Sequence, residues 1–145
     1  MNKLLYKIRL AAVSAVLAYS FALPAQAGSA LALVVEGDTQ WAAGQFDRAQ
    51  QSFEQALKAE PRSVPLLMKL AGLRLSVQEF KTSIATYQRV IGIEPDNAKA
   101  WIGLGFAYLH TGKNSLSLAA FNEAMRLDPR TKPKLAPLLS KLAES

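Results

Sequence analysis

The sequence at residues 124–129 is AMRLDP, and two similar hexapeptides occur earlier in the chain, VIGIEP at 90–95 and ALKAEP at 56–61. Each has a small or β-branched residue, a bulky apolar residue, any residue, an apolar residue, an acid and a proline, in that order. The three prolines, Pro61, Pro95 and Pro129, are 34 residues apart both times. A fixed period of this length is typical of proteins in which one supersecondary unit is repeated and stacked.

The chain aligns with itself in three rows of 34 residues, 30–63, 64–97 and 98–131, without a gap. Besides the acid and proline columns, several others agree in kind. They hold Gly37, Ala71 and Gly105; Ala49, Ser83 and Ser117; Phe53, Tyr87 and Phe121; and Ala56, Val90 and Ala124. Agreement in so many columns indicates a true repeat.

Each row predicts two helices joined by a short turn. The third row shows this best, because one apolar stripe at i, i+3, i+4 and i+7 holds Trp101, Leu104, Gly105 and Tyr108. Gly112 interrupts the pattern, as glycine commonly does just after a helix. A second helix is predicted from about Asn114 to Pro129, since the residue before a proline is disfavoured in the α conformation.

This pattern resembles the tetratricopeptide repeat family. The third row carries the motif W-x2-L-G-x2-Y in WIGLGFAY, followed by Phe121, Ala124 and Pro129. The other rows depart from the motif, with Leu67, Arg74 and Gln78 in the second row and Leu33, Glu36 and Gln40 in the first. The resemblance, which covers residues 30–131, implies an all-α fold: a right-handed α-solenoid of three helix-turn-helix repeats plus a C-terminal capping helix.

The C-terminal segment KLAPLLSKLAES predicts that capping helix, at about residues 134–144. Its leucines, Leu135, Leu138, Leu139 and Leu142, share one face and would cover the open end of the last repeat. Because proline is disfavoured inside a helix, we expect the helix to start just before Pro137. The alternative for this basic, leucine-rich segment is an amphipathic helix on a membrane surface.

Residues 1–27 are typical of a secretory signal peptide and lie outside the predicted repeat domain, 28–145. Lys3, Lys7 and Arg9 precede an uncharged segment from Leu10 to Leu23, and a small-residue site ends at Ala27. We therefore expect export to the periplasm with cleavage after Ala27. An uncleaved membrane anchor is the alternative.

The sequence predicts no catalytic, metal or cofactor site. It contains no cysteine, which excludes disulfides and thiol chemistry. His110 is the single histidine, and its place at a helix end favours a solvated or capping role. Three basic residues belong to the signal peptide, so the formal net charge of +6 does not indicate nucleic acid binding.

The resemblance also implies a partner site, because a second apolar stripe on the first helix of each repeat faces a concave groove in this family. The residues predicted to line or border this groove are Val34, Asp38, Trp41, Met68, Lys69, Leu75, Lys99, Ile102, Phe106 and Leu109. Some family members clamp a peptide carboxylate with Lys and Asn at the places of Val34 and Asp38, so no such clamp is expected here.

These observations lead to one functional hypothesis and two alternatives. The first is a non-enzymatic protein–protein interaction module or assembly adaptor of the bacterial cell envelope, which binds a segment of another protein in its apolar groove. The alternatives are a self-associating structural protein, forming a homo-oligomer, and a peripheral membrane protein that uses its basic C-terminal helix.

Overall fold

The structure, a computed structural model, describes residues 28–143. The predicted signal peptide lies outside this range. All regular elements of the described part are helical. They are α1 (28–42), α2 (Phe46–Ala59), α3 (Val64–Ser76), α4 (Phe80–Ile93), α5 (Ala98–His110), α6 (Asn114–Leu127), a 3-10 turn (Pro129–Thr131) and α7 (Lys132–Ala143). The predicted all-α fold, three helical hairpins followed by a C-terminal helix, is confirmed.

Glycines on the first helix of a hairpin let an aromatic ring from the second helix approach closely. A Cβ atom at Gly37 would lie 2.5 Å from Phe53 Cε1, and one at Gly105 would lie 2.6 Å from Phe121 Cε1. Both rings are fully buried. The Ser117 hydroxyl also donates to the Gly105 carbonyl at 2.9 Å, which ties the two helices together. The small columns of the repeat therefore serve packing.

The leading helices, α1, α3 and α5, form the inner layer of the solenoid. α3 and α5 contact each other directly, whereas no comparable contact joins the trailing helices α2, α4 and α6 to one another in residues 46–143. Each trailing helix packs between two leading helices. The second stripe of the leading helices is thereby placed on the inner side of the stack.

The leading helix of the first repeat has polar residues where the family motif is apolar. Ser52 donates to Gln40 at 2.8 Å, and Gln40 donates to Glu36 at 2.9 Å. Glu36 and Gln40 stand in columns that hold apolar residues in the third repeat. In that repeat, the residues of these columns face the preceding trailing helix. A polar outer face is what the terminal unit of a solenoid requires.

Arg74 stands where the family motif has tyrosine, and it makes an equivalent contact between repeats. Its guanidinium donates to Glu54 on α2 at 2.6 Å and to Thr86 on α4 at 2.8 Å. One repeat later, the Tyr108 hydroxyl accepts from Gln88 on α4 at 3.1 Å. The column thus joins each leading helix to the preceding trailing helix, by an ion pair in one repeat and a neutral hydrogen bond in the next.

The C-terminal helix begins earlier than expected. The prediction that Pro137 lies in its first turn is wrong, since α7 starts at Lys132 and Pro137 lies inside it. The 3-10 turn ends at Thr131 and leads directly into the helix, and Pro133 takes the early position where proline is tolerated. Pro137 is exposed, so its ring occupies the solvent side of the helix.

The leucines of α7 cover the end of the third repeat as predicted. Leu135 is buried with Phe121 and Ala124, and Leu138, Leu139 and Leu142 pack against the same cluster. Full burial of one leucine contributes about 1.5–3 kcal/mol. Leu135, Leu138 and Leu142 continue the columns of the leading helices, so α7 corresponds in sequence to the leading helix of a fourth row.

Candidate partner-binding groove

The leading helices bring the predicted groove residues to the inner layer. Val34, Asp38 and Trp41 lie on α1; Met68, Lys69 and Leu75 lie on α3; Lys99, Ile102, Phe106 and Leu109 lie on α5. Nine of these ten residues are half-buried, and Lys99 is exposed. Half-burial means that each side chain has packing contacts and also presents surface.

The first part of the groove borders the main core. Val34, Trp41, Met68 and Leu75 all pack against it. The indole of Trp41 meets the ring of Phe53 edge to face, with centroids 6.3 Å apart and planes at 77°. Trp41 is therefore held in place by a buried ring while part of its surface stays accessible.

The last part of the groove is shared with the C-terminal cluster. Ile102 and Phe106 pack against the cluster that α7 completes. Phe106 also meets Phe121 edge to face, with centroids 5.0 Å apart. Leu109 is half-buried but belongs to neither core cluster of the described residues. Leu109 and Lys99 are thus the α5 positions least committed to packing.

Two of the three charged residues in the predicted groove set, Asp38 and Lys69, form an ion pair. Lys69 Nζ lies 2.7 and 2.9 Å from the two carboxylate oxygens of Asp38. The pair joins α1 to α3 and is more than a third exposed on both sides. This pairing occupies the amino group that could otherwise hold an acidic ligand.

Two residues outside the predicted groove set, Gly72 and Tyr87, lie beside Trp41 of that set. A Cβ atom at Gly72 would lie 3.6 Å from Trp41 Cη2 and 3.8 Å from the Tyr87 hydroxyl. Tyr87 belongs to the trailing helix α4, so helix periodicity assigns it to the core. The sequence feature that could have indicated its role is its repeat column, which holds tyrosine in the middle repeat and phenylalanine in the other two.

Side chains that could bind a metal ion are not clustered in the described residues. Among residues 28–143 no cluster of three or more His, Asp or Glu side chains could hold a metal ion. His110 is exposed at the end of α5, and its ring stacks on Phe80 with centroids 4.9 Å apart. This stacking accounts for the position of His110 at the turn after α5.

A second apolar surface lies on the outer side of the molecule. Residues of α4, α5 and α6 surround an open hollow of about 460 Å³, which Trp101, Tyr108 and Leu116 help to line. Leu116 is 47% exposed.

None of the helices between residues 28 and 143 has the length and apolarity to cross a membrane.

Comparison with known proteins shows the same repeat. The chain is 30% identical over 91 residues to the general transcriptional corepressor ssn6 of Schizosaccharomyces pombe, covering 61% of this chain and 8% of that protein. It is 27% identical over 94 residues to the Hsp70-Hsp90 organizing protein of Triticum aestivum, covering 65% of this chain and 16% of that protein. The chain therefore matches only a small part of these longer relatives.

A solved structure shares the fold. The first TPR of Spaghetti (RPAP3), bound to the HSP90 peptide SRMEEVD, superposes with a TM-score of 0.75 at 18% identity and covers 81% of this chain and 93% of that one. Two tetratricopeptide repeat sequence models match residues 34–93 and 74–142. Taken with the helical hairpins and the repeated packing columns, these matches show that the chain belongs to the tetratricopeptide repeat family.

Proposed function

We propose that this protein is a non-enzymatic interaction module that holds one segment of a partner protein against its inner face. The observation that carries the proposal is the row of half-buried apolar side chains on α1, α3 and α5. Packing orients these side chains but does not cover them, and two of the three charged residues among them, Asp38 and Lys69, are paired. Such a surface suits a mainly apolar segment held by aromatic anchors.

The ligand differs in charge from the acidic peptide held by the RPAP3 domain. That peptide, SRMEEVD, carries several carboxylates. Here Asp38 places a carboxylate in the groove, and Lys69 is already paired with it. We therefore propose a partner segment without an acidic C-terminus.

Site-specific photo-crosslinking in the native host tests the groove. A photoreactive amino acid is placed at Leu109 or Lys99 in the groove, and at the exposed outer residue Leu116 as the matched control. We expect one dominant partner to be captured from both groove positions and not from Leu116. Capture of the same protein at equal yield from all three positions, or none from the groove, contradicts the proposal.

We further propose that the module works in the bacterial envelope after export and signal cleavage. The support is the charged, apolar and small-residue pattern of residues 1–27. N-terminal sequencing of the protein purified from its host is expected to begin at Gly28. A protein that retains residues 1–27 would favour the uncleaved membrane anchor instead.

Self-association is a second candidate that one observation favours. Leu31 and Val35 lie at i and i+4 on α1 and are 66% and 58% exposed. This pair makes an exposed apolar stripe on α1. Light scattering over a range of concentrations tests self-association, with Leu31→Glu as the variant that would restore a monomer.

The leucines of α7 are used for packing, so we do not propose a membrane-surface role for that helix.

A further inference from the structure

The aromatic ring of the middle repeat belongs to Tyr87, and the column in which the other two repeats have a glycine holds Ala71 here. The ring of Tyr87 lies against Gly103 on the next leading helix, so closely that a Cβ atom there would overlap it. The Tyr87 hydroxyl consequently lies between α3 and α5, within 4 Å of where a Gly72 side chain would start.

This hydroxyl is almost enclosed and has no partner in the described residues. Tyr87 is 5% exposed, and its oxygen forms no hydrogen bond within residues 28–143. Arg74 Nε, which lies 4.0 Å from Glu79 Oε2, is the one fully enclosed side-chain nitrogen or oxygen in this part of the chain that lacks a hydrogen-bond partner. The Tyr87 oxygen therefore keeps contact with solvent. Buried tyrosine hydroxyls usually find a hydrogen-bond partner, and this one is open to a ligand.

Burial raises the pKa of the Tyr87 hydroxyl. The group stays protonated at neutral pH and is available to donate a hydrogen bond. A neutral donor suits a neutral acceptor.

Gly72 leaves a recess above this hydroxyl that packing does not require. A Cβ atom there would meet Trp41 and the Tyr87 oxygen at 3.6 and 3.8 Å, which are ordinary contact distances. Glycine inside a helix is destabilising relative to alanine. The fold would therefore accept alanine at this position and gain from it. What glycine provides is access, since it lets a ligand backbone approach closely.

We propose that the recess at Gly72, with the Tyr87 hydroxyl at its floor and Trp41 at its wall, binds a main-chain carbonyl of an extended partner segment. The proposal rests on the proposed function of the groove and names its central subsite. A neutral donor in a recess without net charge suits a carbonyl better than a carboxylate. An extended segment fits because its carbonyls are free, whereas a helix already uses them internally.

The test begins with peptides selected from a displayed library of random 12-residue sequences on the purified protein. The dissociation constant of the tightest peptide is then measured for Tyr87→Phe and Gly72→Ala. Gly92→Ala is the matched control, because Gly92 is also inside a helix and a Cβ atom there would meet nothing within 4 Å. We expect Tyr87→Phe to weaken binding about 3- to 10-fold, the effect of one lost hydrogen bond.

Gly72→Ala is expected to weaken binding at least as much while raising Tm by a few degrees, about as Gly92→Ala does. Gly92→Ala should leave the dissociation constant unchanged. Thioamide substitution along the peptide then identifies the acceptor. One position is expected to weaken binding to the original protein and not to Tyr87→Phe.

The outcomes separate this proposal from the proposed function. Suppose that Leu109→Asp abolishes peptide binding, while the dissociation constants of Tyr87→Phe and Gly72→Ala stay within twofold of that of the original protein. The proposed subsite is then wrong, and the proposed groove is retained. A loss of stability in Gly72→Ala also overturns the subsite. If no peptide binds, or Leu109→Asp leaves peptide binding unchanged, both proposals fail.

Discussion

Replacing Gln78 with glycine is expected to stabilise the fold, because Gln78 occupies a backbone conformation that suits glycine. Three residues end the leading helices at equivalent places: Gly44 with φ of 72°, Gln78 with 66° and Gly112 with 70°. Their N–H groups donate to matching carbonyls, at 2.9 Å from Gly44, 3.2 Å from Gln78 and 3.0 Å from Gly112. The turn is thus the same in all three repeats, and only the middle one lacks glycine.

The size of the gain follows from two opposing effects. A residue with a Cβ atom in the left-handed region costs about 1–2 kcal/mol, which glycine relieves. Glycine also gives the unfolded chain more freedom, which costs about 0.4–1 kcal/mol. The Gln78 side chain is exposed and forms no hydrogen bond in the described residues, so little else is lost. The free energy of unfolding should rise by about 0.5–1 kcal/mol.

Urea unfolding followed by far-ultraviolet circular dichroism measures this change. The expected result for Gln78→Gly is a higher midpoint with an unchanged slope. Gln78→Ala is the control, since it removes the side chain but keeps the strained conformation, and should lie within about 0.5 kcal/mol of the original protein. A Gln78→Gly variant no more stable than Gln78→Ala would refute the reasoning.

Three further predictions concern packing, pH and charge. Gly105→Ala should lose about 1–3 kcal/mol of stability in the same urea assay, because its Cβ atom meets the buried ring of Phe121; an unchanged midpoint would mean that the ring has room to move. Stability should fall as pH rises above about 10, because burial raises the pKa of Tyr87 in the folded state and the tyrosine of the unfolded chain ionises first. Tyr87→Phe is expected to make this fall shallower. An identical pH profile for the variant would contradict this prediction. The exposed pair of Asp38 and Lys69 should contribute only about 0.2–1 kcal/mol, and less at high salt; a double-mutant cycle at two salt concentrations checks this, and a salt-independent coupling above that range would contradict it.

Local sequence patterns are sufficient to predict the architecture. The 34-residue period, the apolar stripes and the helix-ending glycine and proline define the hairpins because each depends on residues near in sequence. The turn at Gln78 shows how far this extends, since the repeat imposes the conformation even where the residue does not favour it. The position of the groove follows from the same register.

The details of the groove depend on contacts between repeats, which no single row contains. The ring of Tyr87 lies against Gly103 of the next leading helix, and its hydroxyl lies beside Gly72. Phe106 packs against the cluster that α7 completes, and α7 starts well before Pro137, contrary to the prediction from sequence. The sequence by itself determined a stack of three helical hairpins with an inner face, because periodicity and helix-ending residues act locally. Only the tertiary structure decided which inner side chains remain open to a partner, because that depends on how neighbouring repeats fill the space between them.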